Sequence, residues 1–155
     1  MNVRYDMITV FAIRPTSAGD HELLQIRRAK GDDYLPGTWA TVRGKAEGAE
    51  TAPRSALREL REETSLTPRE FYCLSSIDSF YTLRFETIWH CPVFVALIDP
   101  LAEVTLNDEH DAYRWVAIRD VPVHMMWPRE RELLAEIERE ILTDSLAKPH
   151  LLIRL

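Results

Sequence analysis

Three glutamates, Glu59, Glu62 and Glu63, lie within five residues of one another in the segment PRSALRELREET, between Pro53 and Thr64. Thr51 stands at an N-cap position, Pro53 falls in the first turn, and no Gly or β-branched residue interrupts Arg54 to Glu63, so the spacing predicts a helix over Ala52 to Thr64. On it Ala52, Ala56, Leu57 and Leu60 share an apolar face, and the three carboxylates gather on the adjoining arc. Like charges at i,i+3 and i,i+4 repel, which a cation between them would relieve. Hard oxygen donors of this kind suit Mg²⁺, with Mn²⁺ as the alternative. Arg58 sits one turn before Glu62, where it can hold one carboxylate in place without entering the metal site.

A Glu-rich helix face is most often only a solvated surface, but here the upstream spacing weighs against that. Gly44 is followed after five residues by Glu50, and after seven more by Arg58-Glu59-Leu60, Glu62-Glu63 and then Ser65-Leu66. This pattern resembles the Nudix box of the Nudix hydrolases, with Ser65 standing where the family has Gly. That position follows the helix end, where a left-handed residue is favoured, so Ser65 is a structural departure that touches no ligand. The resemblance implies the Nudix α/β/α sandwich with a mixed β-sheet. It also implies hydrolysis of a nucleoside diphosphate linked to another group, by water attacking phosphorus with Mg²⁺ bridging the phosphate oxygens. Carried over by position, Glu59, Glu62 and Glu63 are metal ligands, the Gly44 carbonyl adds another, Arg58 orients them, and Glu50 supports the shell.

The rest of the chain must hold this helix still. Val3 to Arg14 reads as a first strand, Pro15 to Asp20 as a turn, His21 to Arg28 as a second strand, and Ala29 to Gly37 as a loop. Trp39 to Val42 is a short strand leading to Gly44, with Trp39 expected in the core. Beyond Pro68, Glu70 to Ile77 is a strand, and Asp78 to Glu86 is a hairpin tip or a substrate lid. Thr87 to Ile98 is the most apolar run and should be a central strand, with Pro92 marking a bulge. Asn107 to Asp111 is a polar loop and Tyr113 to Ala117 a strand. From Pro128 a second long helix carries Leu133, Leu134, Ile137 and Ile141 on one face. His150 to Leu155 is apolar enough for a short strand or an interface segment.

At 155 residues the chain is expected to form a single domain, residues 1–155, with 46% hydrophobic and 28% charged residues. A formal net charge of −6 argues against a protein gripping extended nucleic acid. No stretch reads as a leader or a membrane span, which points to a cytoplasmic protein with no membrane partner. Cys73 and Cys91 fit no metal or redox spacing and are expected as reduced, buried fillers. Oligomeric state is open, a homodimer included.

The motifs LLQIRR, EHDAYRW and HMMWPRERE, outside the box, are similar to the Nudix subgroup that cleaves dATP-like nucleotides and dihydroneopterin triphosphate. The partner so implied is a small-molecule nucleotide or pterin triphosphate, split to a monophosphate and pyrophosphate. Glu109, in the loop before the YRW strand, matches an acidic residue that this subgroup uses as an additional ligand or general base. The catalytic set is then Arg58, Glu62 and Glu109. Arg28 and Lys45 are candidates for the phosphates, and Tyr81, Phe85 and Trp127 for stacking on the base. Tyr81 keeps a dinucleoside polyphosphate hydrolase in view, and a nucleotide-binding module without catalysis is the reading of another class. Retention of every box carboxylate weighs against that last one.

Overall fold

The computed structural model describes residues 1–155. Its centre is a mixed sheet of nine strands. β1 (Asn2–Arg4) and β2 (Met7–Pro15) both run parallel to β7 (Thr87–Leu97), at Thr87 to Trp89 and at Val93 to Leu97 respectively. The single first strand expected over Val3 to Arg14 is therefore two, broken at Tyr5-Asp6. β3 (His21–Arg28) returns antiparallel to the far end of β2, while β5 (Val42–Lys45) pairs with its near end. β4 (Trp39–Ala40) and β8 (His110–Ala117) both pair with β3. β8 begins three residues before the expected Tyr113, so His110 already belongs to the sheet.

β6 (Glu70–Thr82) extends well past the expected end at Ile77, taking in half of the stretch read as a tip or lid. What remains of that tip is a 3₁₀ turn at Leu83–Phe85. β6 lies antiparallel to β7, and the register slips between Cys73 and Ile77, opposite Phe94 and Pro92. The irregularity expected at Pro92 is thus an insertion in β6, leaving Pro92 within β7. β9 (Leu152–Ile153) pairs with Phe71 and Tyr72, which settles the tail as an edge strand.

Period-two alternation divides β2 between two cores. Ile8, Val10 and Ala12 pack with Ala56 and Leu60 of α1 (Ala52–Thr64), and with Leu24, Phe71 and Phe94. Phe11 and Ile13 turn the other way, onto Leu133, Leu134, Ile137 and Ile141 at α3 (Pro128–Glu140), and Val121 of the short α2 (Val121–His124). A last helical turn, α4 (Lys148–Leu151), precedes β9. Leu60 is wholly buried, contributing roughly 1.5–3 kcal/mol and anchoring the apolar side of α1. The result is a sheet between helical layers, the α/β/α arrangement expected. No helix is long and apolar enough to cross a membrane.

α1 matches its expected bounds, although the Thr51 hydroxyl makes no capping bond. Ser65 closes it in the left-handed conformation, with φ 61. Trp39 is only half-buried, with Arg114 at 4.2 Å and Arg27 at 5.6 Å over its ring, so stacked guanidinium groups replace the expected core contacts. Cys91 is buried and Cys73 partly so, both as free thiols.

Candidate active site

Arg58 ties together the front of the box. Its Nε and Nη2 donate to the two oxygens of Glu50 at 2.9 and 3.0 Å, a fork matched to a carboxylate. Nη1 donates to Glu59 at 2.9 Å and Glu62 at 3.0 Å, and Nη2 also reaches the Lys45 carbonyl at 2.8 Å. The expectation that Arg58 holds one carboxylate is corrected: it holds three, and it joins α1 to the end of β5. Hydrogen bonding to Glu50 raises the Arg58 pKa, and Arg58 in turn holds Glu50 below the usual carboxylate range.

Gly44 lies directly under Glu59. A Cβ there would stand 1.9 Å from Cδ of Glu59, so only glycine leaves room for that carboxylate. Burial pushes the Glu59 pKa up, against the pull of Arg58.

Glu63 is of a different kind. It is 4% exposed, and its Oε2 has no hydrogen-bond partner. Burial, with Glu59, Glu109 and Glu62 as like-charged neighbours, drives its pKa well above the usual value. Glu109, in the turn just before β8, and His110, the first residue of β8, approach it, and ligand atoms of Glu63, Glu109 and His110 all lie within 4.8 Å of one another. Glu109 is pinned by its backbone: its N–H donates to Asn107 Oδ1 at 3.2 Å and its carbonyl accepts from Ala29 at 2.9 Å. Burial and the Arg28 guanidinium pull His110 down to about 4, which leaves a neutral imidazole beside the acids. A buried carboxylate with an unpaired oxygen, among further carboxylates, is the donor set a hard divalent cation fits. Glu59, Glu62, Glu63 and Glu109 would hold it, with His110 in reach.

A cavity of about 400 Å³ is lined among others by Tyr34, Arg43, Phe80, Tyr81, Arg84 and Trp127. Tyr81 and Trp127, expected at the base, do meet there. Phe85 instead packs on Tyr34, with ring centroids 5.4 Å apart. Arg28 donates to Asp32 at 2.7 Å and lies over Tyr34, a cavity residue, at 5.8 Å, and its charge also acts on Glu63 and His110. Lys45 is elsewhere: it lines a separate groove with Asn2 and Thr87, its ammonium 5.6 Å from the Trp89 ring.

Three residues of this wall escaped the sequence reading. Arg43 Nη2 donates to Asp78 Oδ2 and to Glu130 Oε1, each at 2.8 Å, and Thr9 donates to Asp78 at 3.1 Å. Asp78 is 0% and Glu130 2% exposed, and burial raises the Glu130 pKa. Arg43 Nε and Asp78 Oδ1 have no partner, and each such buried group costs about 1–3 kcal/mol. A charged residue just before Gly44, and an Asp among the apolar positions of β6, were the only signals on offer. Successive residues of β5 serve the two places, Arg43 the cavity and Gly44 the carboxylates.

Residues 7–137 match the family model for the NUDIX domain. Over 114 residues the chain is 27% identical to the nucleoside triphosphatase NudI of Klebsiella pneumoniae, covering 69% of this chain and 81% of that protein. An Ap4A hydrolase of C. elegans, solved as a binary complex, aligns with a TM-score of 0.73 at 18% identity, over 90% of this chain and 96% of that one. The NUDIX domain of Shewanella oneidensis NrtR, complexed with ADP-ribose, aligns at 0.68 and 18%, over 92% and 89%. These two structures share the fold. The family match spans β2 to α3 and contains all the clustered carboxylates: the chain belongs to the NUDIX domain family and is a pyrophosphohydrolase by type.

Proposed function

We propose that the chain hydrolyses a nucleoside or pterin triphosphate with Mg²⁺, releasing a monophosphate and pyrophosphate. The observation that carries this reading is Glu63, buried with an unpartnered oxygen and with Glu59, Glu109 and Glu62 as like-charged neighbours. A bound divalent cation supplies charge neutralisation on the phosphate oxygens and a site for the attacking water. Arg58 keeps Glu59 and Glu62 in fixed orientation, so the carboxylates need no rearrangement as charge develops. Glu109, exposed but pinned by its backbone, takes the proton of the water. Arg28 steadies the phosphates, and Tyr34, Tyr81 and Trp127 enclose the heterocycle.

Turnover of a nucleotide panel in ¹⁸O-labelled water tests this. Label in the monophosphate or the pyrophosphate, with turnover lost on chelation, is the expected result. Dinucleoside polyphosphates belong in the panel, and their faster cleavage would replace this reading with the hydrolase of that class. Tight nucleotide binding without turnover would leave a binding module.

A further inference from the structure

Two segments distant in sequence meet at one guanidinium. Arg84, in the exposed turn between β6 and β7, donates Nη1 to the Asp33 carbonyl at 2.7 Å and lies over the Tyr34 ring at 5.7 Å. Phe85 closes on the same ring, with centroids 5.4 Å apart. Asp32 then ties the turn to Arg28: its Oδ1 accepts from the Tyr34 N–H at 2.8 Å and its Oδ2 from Arg28 Nη1 at 2.7 Å. Arg28 itself lies over Tyr34 at 5.8 Å, so one three-residue turn is gripped by Arg84 and grips Arg28. Leu35, the next residue, has φ 53, a left-handed conformation that a residue with a Cβ keeps only where its surroundings impose it.

Arg28 is also close to the acids. Its charge acts on Glu63 and His110, and the following residue, Ala29, donates its N–H to the Glu109 carbonyl at 2.9 Å. The Arg28 side chain stays 34% exposed, so an anion can reach it. We infer that Arg84 is a positioning residue for phosphate binding: by clasping Asp33 and Tyr34 it fixes the turn that aims Arg28 at the phosphate chain of the substrate. This rests on Arg28 contacting the phosphates in the proposed reaction. Exposed contacts contribute little to global stability, so the consequence of the clasp is local. A guanidinium already ordered by Asp32 and Tyr34 loses less rotamer freedom when an anion arrives. With the clasp gone, binding must restore that order itself.

The test uses a ligand with no heterocycle, inorganic imidotriphosphate with Mg²⁺, which resists cleavage and reports on the phosphate contacts alone. Its Kd is measured by calorimetry on the wild type, Arg84→Ala, Tyr34→Leu, Arg28→Ala and the double variant Arg28→Ala/Arg84→Ala. Arg84→Ala and Tyr34→Leu should each weaken binding about tenfold, the order of one charge-assisted hydrogen bond. In the Arg28→Ala background the loss of Arg84 should change Kd by less than about twofold, because the group it positions is absent. A merely structural role would not give that cycle. Arg84 lies at an exposed tip, and an unchanged melting temperature confirms that the fold is intact. Wild-type affinity in Arg84→Ala, or losses that add in the cycle, overturns the inference while triphosphate hydrolysis by the wild type stands. Weakened nucleotide binding with unweakened imidotriphosphate binding also overturns it, since Arg84 would then serve the cavity alone. A wild type that shows the cycle but hydrolyses no triphosphate fails the proposed activity and keeps the positioning role. A wild type that does not bind imidotriphosphate removes Arg28 as a phosphate contact, and this inference with it.

Discussion

Gly44 and Glu59 share one space: the carboxylate of Glu59 occupies the volume where a side chain on Gly44 would be, with Cδ only 1.9 Å from an ideal Cβ. The contact joins β5 to α1 at the point where Arg58 also reaches the Lys45 carbonyl, so the strand end and the helix are positioned by the same few atoms.

Gly44→Ala should therefore act through Glu59. The backbone at Gly44 is not left-handed, so alanine is tolerated there except for the collision. Displacing the carboxylate by even 1 Å should lower kcat by about 100-fold. In a Glu59→Ala background the same substitution should have little further effect on melting temperature. Additive losses in this double-mutant cycle would mean that the glycine serves something other than Glu59.

Ser65 is the box position that departs from the family pattern, and it closes α1 at φ 61 with its N–H donating to the Arg61 carbonyl. Its hydroxyl gains only a 3.3 Å contact to the Thr105 carbonyl. Ser65→Gly removes a Cβ penalty and should raise stability by about 1 kcal/mol, or roughly 2–4 °C in Tm, with kcat unaltered. Calorimetry beside a rate assay checks it, and a lowered Tm would show that the hydroxyl contact matters more than the backbone.

The helix and the box were legible because their signals are local: a proline in the first turn, uninterrupted helix formers, and fixed spacing to Gly44. β3 was equally plain, lying between a Gly-Asp turn and a Gly-bearing loop. The break at Tyr5-Asp6 was not, since it exists because β1 and β2 pair with separate halves of β7. Nor was the continuation of β6 through Asp78, a polar residue buried by partners distant in sequence, Thr9 and Arg43. The cavity wall was hidden for the same reason, since residues 43, 78 and 130 meet only after the sheet and α3 have packed.

Glu109 and its neighbour Asp108 differ sharply in setting. Both are exposed, but Glu109 lies with Glu63 and His110, a group that does not include Asp108. Glu109→Gln should reduce kcat by about 100-fold or more and leave KM nearly unaltered, as expected for loss of a proton acceptor, while Asp108→Asn should do little. The opposite ranking of the two variants would place the role one residue earlier.

Glu63 should govern the metal-free protein's response to pH. Its folded pKa lies above its unfolded one because burial and the carboxylates of Glu59 and Glu109 disfavour the charge. A carboxyl shifted upward contributes stability that is fully present below its unfolded pKa, near 4.5, and that is lost as pH rises through the folded value. Without metal, wild-type Tm should thus fall relative to Glu63→Gln as pH is raised from about 4.5 towards 8, since glutamine keeps the volume and never charges. The gap should widen with pH across that range, each kcal/mol of it showing as about 2–4 °C in a chain of this size. Added Mg²⁺ should close it by neutralising Glu63, and should raise the Tm of wild type far more than that of the variant. Parallel wild-type and Glu63→Gln curves in the absence of metal, across that whole range, would mean that Glu63 is not held as a strained acid awaiting a cation.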